Sequence, residues 1–273
     1  MLFVWLIAFA ALTALTQIGG VILLMAMLIV RLALPRVRGW LRPPSVMALF
    51  MAAYVAATVF VVPPLAALGG RVALPCSAGP EQRLAPANGA FCLLNRNYVV
   101  ADLARLADAL ATDLETQHPG TVTRYLDAGF PFADGFPLLP HLSHHSGRAL
   151  DLALWYRAPG GAYLPGELRS PIGYGAFEQP RPGDPTLCED GRFPTLRWNL
   201  SALQPAFRDL ALDEERTRAA LVWLFTEGPA FGLDRVFIEP HLAVRLAISS
   251  PLLGFQGCRA ARHDDHIHVR ITG

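Results

Sequence analysis

Two short stretches hold the side chains best suited to chemistry. One is His141-Leu-Ser-His-His-Ser-Gly-Arg-Ala-Leu-Asp151, and the other is His263-Asp-Asp-His-Ile-His268 near the C-terminus. In the first, His144 is followed by Gly147 and then Asp151, and the second offers His266 and His268 in a His-x-His pattern. Neutral imidazole nitrogens and a carboxylate oxygen are donors that suit Zn²⁺, so the two stretches together predict a metal site. Three protein donors leave one tetrahedral position for water, which separates a catalytic zinc from a structural one. The chemistry expected is metal-assisted hydrolysis.

These residues need elements to carry them. Alternation over Arg148 to Tyr156 predicts a strand with Leu150, Leu152 and Leu154 on one face and Asp151 on the other with Ala149 and Ala153. The same parity over Asp265 to Ile271 predicts a final strand that puts His266 and His268 on one face and Ile267 and Val269 on the opposite one. Gly147 permits the tight backbone that brings His144 back over its strand. Asp264 and Asp265 stand beside the pair as carboxylates able to orient an imidazole through its second nitrogen. A proline- and glycine-rich loop, Ala128 to Pro140, leads into the first stretch.

Further out, Leu103, Leu106, Leu110 and Leu114 recur at helical spacing and predict an amphipathic helix over Val99 to Gln117, ended by His118-Pro119-Gly120. Thr121 to Asp127 and Asp234 to Glu239 predict strands, Asp213 to Thr226 a second helix, and Pro240 to Ile248 a short one. Residues 157 to 200 hold many Gly and Pro and read as a surface excursion forming a wall or lid of a cleft. Tyr174, Phe177 and Trp198 either line that cleft or pin the excursion down. His118, His141, His145 and His241 read as structural or surface histidines; His145 has the wrong spacing to Gly147 and Asp151 to replace His144.

The hydrophobic content of 53% is concentrated in the first quarter of the chain. Residues 1 to 30 carry no charge, and a second charge-free run extends from Pro43 to Gly70. Roughly 20 such residues cross a bilayer, so residues 1–70 predict a transmembrane hairpin of two helices. A cleavable signal peptide fits poorly, because no basic segment leads the run and the run far exceeds about 15 residues. Arg31, Arg36, Arg38 and Arg42 lie in the link between the runs. Positive charge favours the cytoplasmic side, which places both ends of the hairpin and everything after about residue 71 outside. In a bacterial cell that is the periplasm or the outer surface.

Cys76, Cys92, Cys188 and Cys258 all fall on the outward side. An oxidising compartment favours disulfides, and the locally economical pairing is Cys76 with Cys92 and Cys188 with Cys258, though spacing alone does not fix connectivity. The absence of any Cys-x-x-Cys argues against cysteine ligation of zinc. Residues 71–97, with Pro75, Gly79, Pro80, Pro86 and Gly89, read as a linker before a domain at 98–273. A net charge of +1 with scattered arginines argues against a nucleic-acid partner.

His144-His-Ser-Gly-Arg-Ala-Leu-Asp151 together with His263-Asp-Asp-His-Ile-His-Val-Arg270 resembles the zinc metallopeptidase superfamily of lysostaphin, the D-alanyl-D-alanine peptidases and the hedgehog signalling domain. Within it, the chain is most similar to the penicillin-insensitive murein endopeptidases, with Arg235-Val-Phe-Ile-Glu-Pro240 similar to the strand and turn before their final motif. The resemblance covers roughly residues 98 to 273 and implies an α+β domain with a central antiparallel sheet flanked by helices. It makes His144, Asp151 and His268 the zinc ligands. His266 and His263 would assist catalysis, with Asp265 standing where related dipeptidases place an acidic base. The implied substrate is the peptide part of peptidoglycan, at the outer side of the bacterial cytoplasmic membrane. Two other functions share these motifs: a zinc-binding domain without peptidase activity, as in hedgehog, and a membrane-anchored scaffold with a structural zinc. Those endopeptidases are typically exported and soluble, and residues 157–230 show no clear match to them.

Overall fold

The computed structural model describes residues 2–33, 39, 42–77, 82–188 and 197–273. Arg36 and Arg38 of the link lie outside the described residues.

The first apolar run does not form one long helix. α1 (Leu2–Thr16) and α2 (Gly19–Ala33) have 15 residues each. At 1.5 Å per residue each is about 22 Å long, short of the roughly 30 Å of bilayer hydrocarbon. The chain reverses at Gln17, whose φ of 66° is left-handed. The two helices then pack so closely that a Cβ on Gly20 would fall 2.0 Å from Thr13 Oγ1 and 2.8 Å from Phe9 O. Only glycine allows that approach. The start of α1 and the end of α2 therefore share one end of the bundle, which corrects the expectation that the N-terminus lies on the domain's side.

α3 (Arg42–Ala56) continues through a π turn at Ala57–Val61 into α4 (Val62–Leu68). This 27-residue rod is the one helix among the described residues long and apolar enough to cross a membrane. Ile22, Leu23, Ala26 and Val30 of α2 bury against Val46, Phe50 and Tyr54 of α3. A bundle of three rods thus stands where a hairpin of two was expected.

The stretch read as a linker builds part of the domain. β1 (Arg71–Ala73) pairs antiparallel with β3 (Tyr98–Val100), and β2 (Leu84–Pro86) runs parallel to β4 (Thr123–Tyr125). Between them lies one helical turn, α5 (Ala90–Leu93). Because Val99 and Val100 are taken by β1, the leucine-rich helix α6 starts at Ala101 and runs to Gln117. Then follow β5 (Ala149–Ala153), β6 (Tyr156–Arg157), β7 (Ala211–Leu212), α7 (Glu214–Thr226), β8 (Leu233–Phe237), α8 (Pro240–Arg245), β9 (Leu253–Gly254) and β10 (His266–Ile271).

The fold is α+β, with a six-stranded sheet in the order β2-β4-β5-β10-β8-β9. Its inner pairs are antiparallel, while β2–β4 and β8–β9 are parallel, so the sheet is mixed and not purely antiparallel. Leu103, Leu106, Leu110 and Leu114 of α6 are fully buried with Leu150, Leu152, Ile267 and Val269 of the central strands. Each side chain buried this way contributes about 1.5–3 kcal/mol. This core occupies one face of β5 and β10, and the opposite face is left for Asp151, His266 and His268. Disulfides join Cys76 to Cys92 and Cys188 to Cys258, the latter tying the 157–200 excursion to the approach of β10.

Asp213 caps α7, accepting from Arg216 N (3.1 Å), and its buried carboxylate also takes Arg157 (2.8 Å) and the Arg216 guanidinium (2.8 Å). Asp213→Ala removes a cap and takes one acceptor from each of two guanidinium groups, leaving Arg157 with Glu215 (2.9 Å) and Arg216 with Thr121 (2.9 Å). It should cost about 3 kcal/mol in thermal or denaturant unfolding. Although burial opposes ionisation, the hydrogen bonds from Arg157 and Arg216 hold the Asp213 carboxyl below its ordinary pKa. A folded pKa below the unfolded one stabilises the fold above about pH 4, and this contribution is lost as pH falls through the lowered value. The difference in stability between parent and Asp213→Ala should therefore shrink in acid.

Candidate metal centre

Sheet register sets two of the three donors. His268 on β10 stands directly opposite Asp151 on β5, and His266 stands opposite Ala153, so all three functional side chains share one face. His268 Nδ1 lies 2.7 Å from Asp151 Oδ1. The third donor comes from the 3₁₀ turn Leu142–His144, with His144 Nε2 3.2 Å from the same Oδ1. One ligand atom from each residue lies within 4.8 Å of the others, and all three residues are buried. His145 is exposed and turned out of this cluster.

The group calls for a cation. His144 Nδ1 lies 2.6 Å from the carbonyl of Ala128, a contact that requires a proton on Nδ1. Nε2 of a neutral His144 then carries a lone pair, and it is buried without a hydrogen-bond partner while facing a carboxylate oxygen. Two acceptors aimed at each other this closely repel unless a proton or a metal ion sits between them. Burial opposes charge on His144, but the Asp151 carboxylate outweighs it and raises the pKa. Burial likewise opposes ionisation of Asp151, yet His144, His266 and His268 hold it well below the ordinary range. His268 is pushed down to about 4, chiefly by burial, with His144 and His266 adding to the effect and Asp151 opposing it. Two imidazoles and one carboxylate, buried and convergent, fit a divalent metal ion.

Asp151 divides its oxygens. Oδ1 faces the two candidate ligand histidines, while Oδ2 accepts from Tyr174 OH (2.7 Å). Burial first, then the charges of Asp127 and Asp151, push the Tyr174 phenol well above its ordinary pKa, so it remains a donor. Tyr174 is one of the three aromatics read from the sequence as either lining a cleft or pinning the excursion down. Phe177 instead lies buried beneath Arg262, with Arg262 Cζ 4.3 Å from its ring centroid. Trp198 is 62% exposed.

His266 sits beside the triad, its Nε2 3.7 Å from Asp151 Oδ2. Its Nδ1 is hydrogen-bonded to Asp265, which is held in turn by Gly175 N–H (2.5 Å). Burial opposes a charge on His266, but Asp151 and Asp265 raise it to about 9. Asp264 turns away to Arg262 and is held up to about 7, chiefly by burial. The His263 ring lies 4.8 Å from that of His266 and 5.6 Å from that of His268. Burial and the two neighbouring imidazoles keep it well below its ordinary pKa and neutral.

His141, read from the sequence as structural or surface, lies beside the triad. Its ring packs at a tilt against Tyr174 with centroids 4.6 Å apart, its Nδ1 lies 2.7 Å from Asp127 Oδ2, and the same nitrogen is 3.7 Å from Asp151 Oδ2. Asp127 is buried and gripped by Arg96 through two bonds of 2.5 and 2.8 Å. Neither Asp127 nor Arg96 stood out in the sequence. Their partner is made by pairing across the sheet, where Asp151 N donates to Asp127 O (2.9 Å), and no local spacing announces it. His241 Nε2 donates to Glu178 O (2.7 Å) away from the triad, as a structural histidine does. No protein-family model matches this chain, and no curated protein matches it.

Proposed function

We propose that the chain is a zinc-dependent peptidase of the bacterial cytoplasmic membrane, with its domain on the outer side, acting on the peptide stems or cross-links of peptidoglycan. The observation that carries this reading is the buried convergence of His144, Asp151 and His268 beside a separate His266–Asp265 pair. A purely structural zinc site has no use for a spare, oriented imidazole. A divalent ion held by these three residues would polarise a scissile carbonyl and lower the pKa of water to about 7.

The chain's own groups supply the rest. Tyr174 and the sheet register fix the orientation of Asp151. The Asp265 carboxylate fixes the ring of His266, which suits that ring to proton transfer or to stabilising developing negative charge. The apolar rod Arg42–Leu68 supports a membrane anchor, and two disulfides suit an oxidising compartment.

Purified muropeptides incubated with zinc-loaded protein should yield shortened peptides detectable by mass spectrometry. A chelator should abolish the cleavage, whereas β-lactams, which acylate an active-site serine, should leave it unchanged. Muropeptides that stay intact with zinc-loaded protein would sink the reading.

A further inference from the structure

Gln17 lies in the middle of a charge-free apolar run, where an amide side chain is costly unless its hydrogen bonds are met. They are met by the domain. Gln17 Nε2 donates to Phe132 O (2.7 Å), and Phe132 N–H donates to Gln17 Oε1 (2.8 Å). This is a two-point clamp on one residue of the 128–147 loop, the loop that carries His141 and His144. Ile18, the next residue, packs with Phe132 against Val62, Ala66 and Tyr98. The corner between α1 and α2 is therefore a support for the loop.

A second support enters from the end of the rod. Arg71 follows α4 and is buried, and it pairs with Asp134 of the same loop. Its guanidinium occupies the space beneath Gly147: a Cβ there would fall 1.6 Å from Arg71 Nη1. Gly147, at φ 63°, is thus required by its neighbour as well as by its own turn. Behind it, Val100 N–H donates to Gly147 O (3.0 Å) and Tyr98 N–H donates to Gly129 O (3.0 Å). The loop is held at 129, 132, 134 and 147, which brackets His144 on both sides.

We infer that the α1–α2 corner and Arg71 are positioning elements of the metal centre, fixing the one candidate ligand, His144, that the sheet does not fix. Asp151 and His268 are set by strand register whether or not the bundle is in place. His144 is different, since it sits in a 3₁₀ turn inside the clamped loop and not in a strand of the sheet. Loosening the clamp makes metal binding bear the cost of ordering the loop, and apparent affinity falls by the fraction of time the loop is correctly placed. The inference rests on the metal-centre part of the proposed function and is independent of which bond, if any, is cleaved.

The test uses the full chain in detergent with Zn²⁺ and Co²⁺ as probes. Gln17→Met keeps the shape of the side chain and removes both hydrogen bonds, and it should weaken Zn²⁺ binding about tenfold and alter the visible spectrum of the Co²⁺-loaded protein. Tyr54→Phe serves as the control. It breaks different contacts between bundle and domain, Tyr54 OH to Leu93 O (2.7 Å) and Asn95 Nδ2 to Tyr54 OH (3.1 Å), leaves both bonds between Gln17 and Phe132 in place, and should leave both readouts unchanged. Hydrogen exchange without metal should be faster in Gln17→Met over residues 129–147 and little altered elsewhere. Equal losses of affinity in the two variants, or unchanged exchange across 129–147, would overturn the inference. If the parent binds neither ion, the metal reading fails, and faster exchange over 129–147 in Gln17→Met still supports the clamp on its own.

Discussion

Asp151→Ala should leave the protein without stoichiometric metal. The carboxylate sits between both candidate ligand imidazoles, with Oδ1 3.2 Å from His144 Nε2 and 2.7 Å from His268 Nδ1. Removing a partner that merely supports a ligand costs about 10- to 100-fold in metal affinity, and removing the ligand itself should cost more. Stability should fall as well, because Tyr174 OH loses its acceptor and a buried charge network loses the carboxylate that faces His144 and His268, a change worth about 3–5 kcal/mol in comparable networks. Asp151→Asn separates the two effects. It keeps an acceptor for Tyr174 and similar volume, so it should fold better than the alanine variant while still binding metal poorly. His145→Ala, at an exposed position, should bind metal as the parent does. Metal content after dialysis against trace zinc reads all three, and full occupancy in Asp151→Ala would remove Asp151 from the ligand set.

On the peptidase reading proposed above, His266→Ala should keep its metal and lose its turnover. None of the three candidate ligand atoms belongs to His266, and its Nε2 stands 3.7 Å from Asp151 Oδ2, beyond hydrogen-bond distance. What the substitution removes is an imidazole oriented by Asp265 on the metal-facing side of the sheet. Acid-base assistance of that kind typically supplies about 10² to 10⁴ in rate, so muropeptide cleavage should drop by that order with zinc content unchanged. Asp265→Asn should move in the same direction by a smaller factor, since it loosens the ring without deleting it. A His266→Ala protein that cleaves as fast as the parent would assign the proton transfers elsewhere, with His141 and His263 the nearest imidazoles.

The parts of the fold that could be read in the sequence are those with a period. Leu103, Leu106, Leu110 and Leu114 announce α6 because one face of a helix returns about every 3.6 residues. The alternation around Asp151 and His268 announces β5 and β10, and the same parity gives the face on which these side chains meet. The three-residue strands β1 and β2 are too short to show any period, so the segment carrying them read as linker. Hydropathy sees an uncharged run and not a reversal within it. The corner at Gln17 depends on a partner 115 residues away, and the close glycine packing behind it involves backbone atoms that composition does not reveal. His141 was passed over for a similar reason, because its two carboxylate neighbours, Asp127 and Asp151, come together only when β4 and β5 pair.

The order of the sheet also bears on how the protein behaves among copies of itself. The strands that carry Asp151 and His268 are internal, and the sheet closes on one side with β2, three residues ending in Pro86, and on the other with β9, two residues ending in Gly254. An edge recruits a neighbouring chain by offering a long row of unpaired backbone groups, and proline and brevity both deny it that row. Edge-to-edge aggregation is thereby disfavoured without any charged residue being spent on either outer strand.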